Sequence, residues 1–218
     1  MPLPAASKPV LRIRRRGNRT AWLLWIVVSV LCATLGAVVG WQIRWLFLRN
    51  PATTQLLIAY VATVASALLV SGAQWLLFRH YRRDVYWWVP ATVAGNLAAA
   101  AIIVPGVTSL AFAKGISPLN ADTALFYGLL ALATSGLVVG TAQALVLRTF
   151  AGNLAWAWVP ATILGSGLAG AITTGLSSQL VSMTWFWDHP LVLIALASAV
   201  GGLLVSASQA PVFSRLLR

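Results

Sequence analysis

Acidic side chains are almost missing from this chain. Asp84, Asp122 and Asp188 are the only ones among 218 residues, and all three fall near the ends of apolar runs. No pair of carboxylates is therefore available inside an apolar segment for acid–base work or for a proton relay across a membrane. Histidine is as sparse, with His80 and His189 alone. His189 follows Asp188, but a metal site needs further His, Cys or carboxylate ligands, and a solvated interfacial pair is the simpler expectation. His80 stands in Arg79-His80-Tyr81-Arg82-Arg83, a stretch suited to lipid head groups. Neither histidine lies mid-span, where a chlorophyll or haem ligand is expected. The single cysteine, Cys32, excludes an intramolecular disulfide, and Ser29-Val30-Leu31-Cys32 lacks the residues of a lipobox. No Walker lysine, Gly-x-Ser-x-Gly or His-Glu-x2-His occurs. The expectation is a chain that is not an enzyme and has no catalytic, metal or cofactor-binding residues.

Charge of either sign is scarce too. Only 8% of the residues are charged and 60% are hydrophobic, with a mean hydropathy of +0.86; a soluble domain is about 25% charged. So small a polar surface does not solvate a globule of this size, and lipid is the natural solvent. The net charge of +12 raises the question of nucleic acid, but its distribution argues against that partner. Lys8, Arg12, Arg14, Arg15, Arg16 and Arg19 crowd the first twenty positions, and most of the other basic residues flank apolar runs. That pattern orients membrane helices and touches anionic head groups; Arg14, Arg15, Arg16, Arg79, Arg82 and Arg83 are the candidate head-group contacts.

What the chain does have is long apolar runs. A hydrocarbon core of about 30 Å takes about 20 apolar residues per helix, and six segments qualify: about 21–43, 54–78, 86–104, 123–147, 157–181 and 190–212. The predicted fold class is all-α, a polytopic bundle of about six transmembrane helices. A basic cytoplasmic tail, 1–20, precedes a transmembrane domain over 21–218. The first run is too long for a signal peptide and no Ala-x-Ala follows it, so a retained span is expected. With the N-terminus inside, the cytoplasmic segments hold the six early basic residues, Arg79, Arg82, Arg83, Arg148, Arg215 and Arg218. The outer segments hold only Arg44, Arg49 and Lys114. Twelve against three is a positive-inside signal with both termini cytoplasmic. Pro105 to Ala121 is predicted as the longest outer loop. The Trp residues gather near span ends (Trp22 and Trp25, Trp41 and Trp45, Trp87 and Trp88, Trp156 and Trp158, Trp185 and Trp187), where anchoring in the head-group layer is the expectation ahead of an aromatic cage.

Two motifs recur. Trp88-Val89-Pro90-Ala91-Thr92 returns as Trp158-Val159-Pro160-Ala161-Thr162, each opening an apolar run, with Pro in the first helical turn. The even-numbered spans end in a small-x3-small-x2-Gln pattern trailed by Arg: Ala67, Ser71, Gln74 with Arg79; Gly136, Gly140, Gln143 with Arg148; Gly202, Ser206, Gln209 with Arg215. Positions i, i+4 and i+7 fall within about 60° on a helix, so each set shares one face. Small residues so spaced let membrane helices approach closely, and Gln can bond across the contact. The nine residues form a candidate helix-packing or pore face. Three parallel hairpins follow, about 21–80, 85–149 and 156–218, with Gln74, Gln143 and Gln209 at one depth. The first hairpin lacks Trp-Val-Pro-Ala-Thr, though Trp22 and Trp25 occupy the corresponding end.

Gly/Ser-x2-Gln, a trailing Leu/Phe-Arg and a following Trp-rich helix start together resemble uncharacterised bacterial membrane proteins, notably cyanobacterial and Chloroflexota ones, over residues 67–215. In those proteins the unit recurs in tandem, sometimes beside signalling domains. The resemblance implies an architecture and no activity. The expected function is a non-catalytic integral membrane module that packs against, anchors or assembles other membrane components. The alternative is a transporter or channel for a neutral or weakly polar small solute, lined by Gln with Asn96, Thr173, Thr174, Ser177, Ser178 and Gln179. Expected partners are a bilayer with anionic head groups and other membrane proteins. The expected location is a bacterial inner membrane or a thylakoid.

Overall fold

The computed structural model describes residues 17–46, 52–81, 85–114, 121–180 and 189–216. Within them the chain is helical and has no β-strand. Six α-helices follow one another: α1 (Gly17–Leu46), α2 (Ala52–Tyr81), α3 (Trp88–Lys114), α4 (Ala121–Ala151), α5 (Trp158–Leu180) and α6 (Pro190–Leu216). A 3-10 turn, Gly152–Ala157, joins α4 directly to α5. Gly152 makes the bend with φ of 56°, a left-handed conformation that glycine adopts without a Cβ penalty and that commonly ends a helix.

Four stretches are long and apolar enough to cross a bilayer: Thr20–Ile43, Leu57–Tyr81, Leu125–Gly175 and Pro190–Leu216. The third is 51 residues long and contains the 3-10 turn, so it folds back as α4 and α5. Trp88–Ile103 is a shorter apolar helix. At 30 residues each, α1 and α2 rise about 45 Å, more than a hydrocarbon core of about 30 Å.

One boundary differs from the sequence reading. The loop expected from Pro105 is helical through Lys114, as the end of α3. Leu110, Ala111, Ala113 and Lys114 are good helix formers.

Each helix packs against its neighbours in sequence, and α6 packs against α1. The six therefore close into a ring. Small residues set the seams. At α1/α2 the Ser66 hydroxyl donates to the Gly36 carbonyl at 2.7 Å. At α5/α6 the Ser208 hydroxyl donates to the Ala161 carbonyl at 2.7 Å. At α4/α5 the backbones are close as well: a Cβ on Gly136 would stand 2.8 Å from the Thr162 carbonyl oxygen and 3.0 Å from the Ile163 Cα. Large aliphatic side chains point away from the ring, among them Leu31, Leu35, Leu68, Leu137, Leu164 and Leu196. The fully buried core sits instead at one end of the ring, the end carrying Arg79, Arg148 and Arg215. There Trp25, Phe78, Val85, Trp88, Leu147, Trp158 and Phe213 pack together.

Candidate functional site

Three indoles meet on the axis of that buried end. Trp25 from α1, Trp88 from α3 and Trp158 from α5 are each 0% exposed. Their ring centroids lie 6.1, 5.5 and 5.7 Å apart, all edge to face, the geometry the ring quadrupole favours. Phe78 and Phe213 complete the cluster, 5.1 Å from each other. Phe213 lies stacked on Trp25 at 4.6 Å, whereas Phe78 meets Trp88 edge-on at 4.8 Å. The result is a dry aromatic plug.

One layer further into the ring, the three glutamines tie the seams. The Gln74 amide Nε2 donates to the Ser29 hydroxyl at 3.0 Å, and its Oε1 accepts from the Trp88 indole Nε1 at 3.3 Å. Gln143 repeats the arrangement: Nε2 donates to Thr92 Oγ1 at 3.0 Å, and Oε1 accepts from Trp158 Nε1 at 2.8 Å. An indole only donates, so its partner must be the amide oxygen, which turns the amide nitrogen to the hydroxyl. Gln209 makes half of the set. Its Nε2 donates to Thr162 Oγ1 at 3.0 Å, but its Oε1 has no hydrogen-bond partner, and neither has the Trp25 indole Nε1. Both atoms are buried, and such an orphan costs about 1–3 kcal/mol.

Above the glutamines the ring is hollow. A cavity of about 790 Å³ takes lining from all six helices, including Ala33, Ser66, Asn96, Ser135, Ser166 and Gln209. A lobe of about 260 Å³ adjoins it, sharing Ala33, Gln74, Ser135 and Gln209 and adding Ser29, Gly202 and Ser206. On α6 the lining runs from Gln209 back to Ile194, about 22 Å of helix rise. No lining residue is charged. The walls mix Ala, Gly, Val and Leu with Thr63, Ser66, Asn96, Ser135, Ser166 and Ser198, and the three glutamines form the floor.

The nine residues of the expected face come together. Ala67, Ser71, Gln74, Gly136, Gly140, Gln143, Ser206 and Gln209 are buried and Gly202 is partly buried. They serve seams and cavity at once: Gly136 and Gly140 pack against Thr162, while Ala67, Gly136 and the glutamines also line the hollow. Ser71 and Ser206 turn their hydroxyls back to the carbonyls of Ala67 and Gly202, at 2.5 and 2.6 Å. Asn96 lines the cavity and donates to the Thr92 carbonyl at 2.8 Å. Thr173 and Thr174 instead sit at helix seams beside Gly201 and Gly128. The side chains of Ser177, Ser178 and Gln179, like Arg14, Arg15, Arg16, Arg82 and Arg83, lie outside the described residues. Arg79 is exposed, its guanidinium 5.2 Å from the Trp75 ring, as suits a head-group contact. His80 is exposed beside Tyr81, and among the described residues no three His, Cys, Asp or Glu side chains group as a metal site.

The tryptophans depart most from the sequence reading. Trp87, 60% exposed, Trp156 and Trp45 lie at the surface, as the anchoring expectation requires. Anchoring does not describe Trp25, Trp88 and Trp158, which are internal. Thr92, Thr162 and Ser29 seat the glutamine amides, a role that the recurring motif ending in Thr92 and Thr162 does not by itself reveal. The available signal was Trp-x3-Ser/Thr, present at 25/29, 88/92 and 158/162, which puts both side chains on one helix face. No family model, no curated protein and no solved structure matches the chain.

Proposed function

We propose that this is a six-span integral membrane protein whose three parallel hairpins enclose a chamber for a neutral, largely apolar small molecule, closed toward the cytoplasm by the tryptophan plug. The hairpins, about 21–80, 85–149 and 156–218, relate by an approximate threefold axis, each giving one indole and one glutamine to the floor. Both termini and Arg79, Arg148 and Arg215 face the cytoplasm. The observation that carries the reading is the uncharged cavity of about 790 Å³ to which every helix contributes. That volume falls in the range of small-molecule sites, about 300–1,000 Å³, and its chemistry admits neither an ion nor a charged head group without desolvation loss. The plug is packed through, so the described form is a holder or carrier closed at that end rather than an open channel.

Docking of other membrane components through the small-residue faces draws less support. Those faces are turned into the chain's own seams and hollow, and the outward surface is mainly aliphatic, which lipid tails cover without specificity.

The test is native mass spectrometry of protein purified in mild detergent, with a thermal-shift screen of neutral amphiphiles and uptake assays in proteoliposomes. Retained small neutral ligands, or stabilisation by members of the screen, is the expected result. Protein that retains no ligand and is stabilised by none refutes the chamber. Reporter fusions after Phe150 and Arg218 should read cytoplasmic and fusions at Asn50 and Asn120 external; an external C-terminus refutes six spans.

A further inference from the structure

The layer above the glutamine floor departs from the repeat that the floor follows. Eight residues before the glutamines stand Ser66 on α2, Ser135 on α4 and Gly201 on α6; eight residues after the central indoles stand Ala33 on α1, Asn96 on α3 and Ser166 on α5. All six line the hollow. Polar side chains thus come from the consecutive helices α2 to α5, while α6 and α1 bring only a glycine and an alanine at the same register. Hydrogen-bonding capacity is uneven as well. Hydroxyls on helices commonly turn back to a carbonyl of the preceding turn, as those of Thr63, Thr141 and Thr162 do. The Ser66 hydroxyl is spent on the Gly36 carbonyl. The Ser135 and Ser166 hydroxyls make no hydrogen bond among the described residues. Unlike the two orphans at the floor, their oxygens are not sealed, and both residues border the main cavity and the adjoining lobe. They share one level of the α4/α5 seam, where a Cβ on Gly136 would stand 2.9 Å from Ser166 Cβ. Along α4 that level is about 12 Å of helix rise from Gln143, part-way up the hollow.

We propose that Ser135 and Ser166 form the polar recognition patch of the chamber, and that the molecule held there is uncharged and carries a carbonyl oxygen part-way along an apolar body. This rests on the chamber reading above and adds where, and by what chemistry, the ligand is recognised. Each serine hydroxyl offers one donor. No carbonyl of the described residues takes it, and a ligand carbonyl at the wall does. A carboxylate also accepts, but it brings a charge into a hollow whose lining has no counter-charge. An ammonium carries the same cost, and an alkane leaves both donors unpaired. The one-sided layer also sets the orientation. The carbonyl turns to α4 and α5, and the apolar body lies against Ala33, Gly201 and Val205, which border the same lobe. A ligand that needs three equivalent groups about the axis is not served, because Gly201 stands where α2 and α4 carry serine.

The experiment compares 6-undecanone with undecane on the full chain in one detergent. Native mass spectrometry reads binding, and infrared difference spectroscopy reads the carbonyl stretch of the bound ketone. One ketone per chain is expected, about tenfold tighter than undecane, the worth of one or two neutral hydrogen bonds. Its carbonyl stretch should lie below the value in hydrocarbon, as for a hydrogen-bonded ketone. Ser135→Ala combined with Ser166→Ala should bring the ketone-to-alkane ratio toward one and return the stretch toward the hydrocarbon value. Neither hydroxyl holds a bond among the described residues, so the double variant should keep its fold and its affinity for undecane. Equal binding of ketone and alkane, or a bound ketone with the hydrocarbon stretch, overturns the patch and leaves the chamber intact; both are read on the wild-type chain and need no variant. Tighter binding of the ketone that the double variant does not alter also overturns it, because the carbonyl is then met by other donors or by water. If neither molecule binds, the chamber reading has failed and the patch with it.

Discussion

Replacing the floor glutamines one at a time by leucine separates a satisfied link from a broken one. Gln143→Leu removes two interhelical hydrogen bonds, to Thr92 and from Trp158, and strands the Trp158 N–H in a fully buried position. At about 0.6 kcal/mol for each membrane hydrogen bond and about 1–3 kcal/mol for the stranded donor, the loss is about 2–4 kcal/mol. Gln209→Leu forfeits one bond, to Thr162, and deletes an acceptor that was already unpartnered. The bond costs about 0.6 kcal/mol, and removing the orphan returns about 1–3 kcal/mol, so the ligand-free protein should be unchanged or slightly more stable. For a chain of this length roughly 2–4 °C of Tm accompanies each kcal/mol, which puts Gln143→Leu about 4–16 °C below wild type. Thermal unfolding of ligand-free protein in one detergent measures all three proteins. Adding Trp158→Phe to Gln143→Leu should recover part of the loss, since no indole N–H is then stranded, and a double-mutant cycle reads that coupling. A Gln209→Leu protein that melts as low as Gln143→Leu refutes the account, because the two sites would then be equally satisfied.

Two further comparisons test the seams and the plug. Gly136→Ala should lower Tm while Gly72→Ala should hold or raise it, because a Cβ at 136 meets the Thr162 carbonyl oxygen at 2.8 Å and one at 72 meets nothing within 4 Å; overpacking costs about 1–3 kcal/mol against about 1 kcal/mol of gained helix propensity, and equal melting of the two would remove the close α4/α5 contact. Trp88→Ala should destabilise by about 3–5 kcal/mol as a buried aromatic truncation, whereas Trp87→Ala, at a 60% exposed ring, should shift thermal unfolding within about 0.5 kcal/mol; similar losses at both positions would contradict an internal Trp88 beside an outward Trp87.

Much of this architecture is legible in the amino-acid sequence, for a physical reason. Apolar run length answers to bilayer thickness, and terminal Trp and Arg answer to the head-group layer, so helix existence and approximate extent follow from local composition. The small-x3-small-x2-Gln faces are legible too, because 3.6-residue periodicity puts their members on one side of α2, α4 and α6 whatever those helices touch. Orientation of the helices about their own axes is less legible. Leu31 faces outward and Trp25 inward on the same apolar helix, and in lipid the outside is as apolar as the inside, so hydropathy does not mark the buried side.

Tertiary structure decided the rest. Local patterns predict a packing face and a set of anchors. Only closure of α6 onto α1 turns three separate faces into one floor and three of the tryptophans into a plug, since Trp25, Trp88 and Trp158 come from helices far apart in the chain. The unmatched Trp25–Gln209 pair lies furthest from sequence reasoning. Its residue types repeat those of the other two links, and what differs is the tilt of one indole against Phe213, a packing angle that no linear pattern encodes.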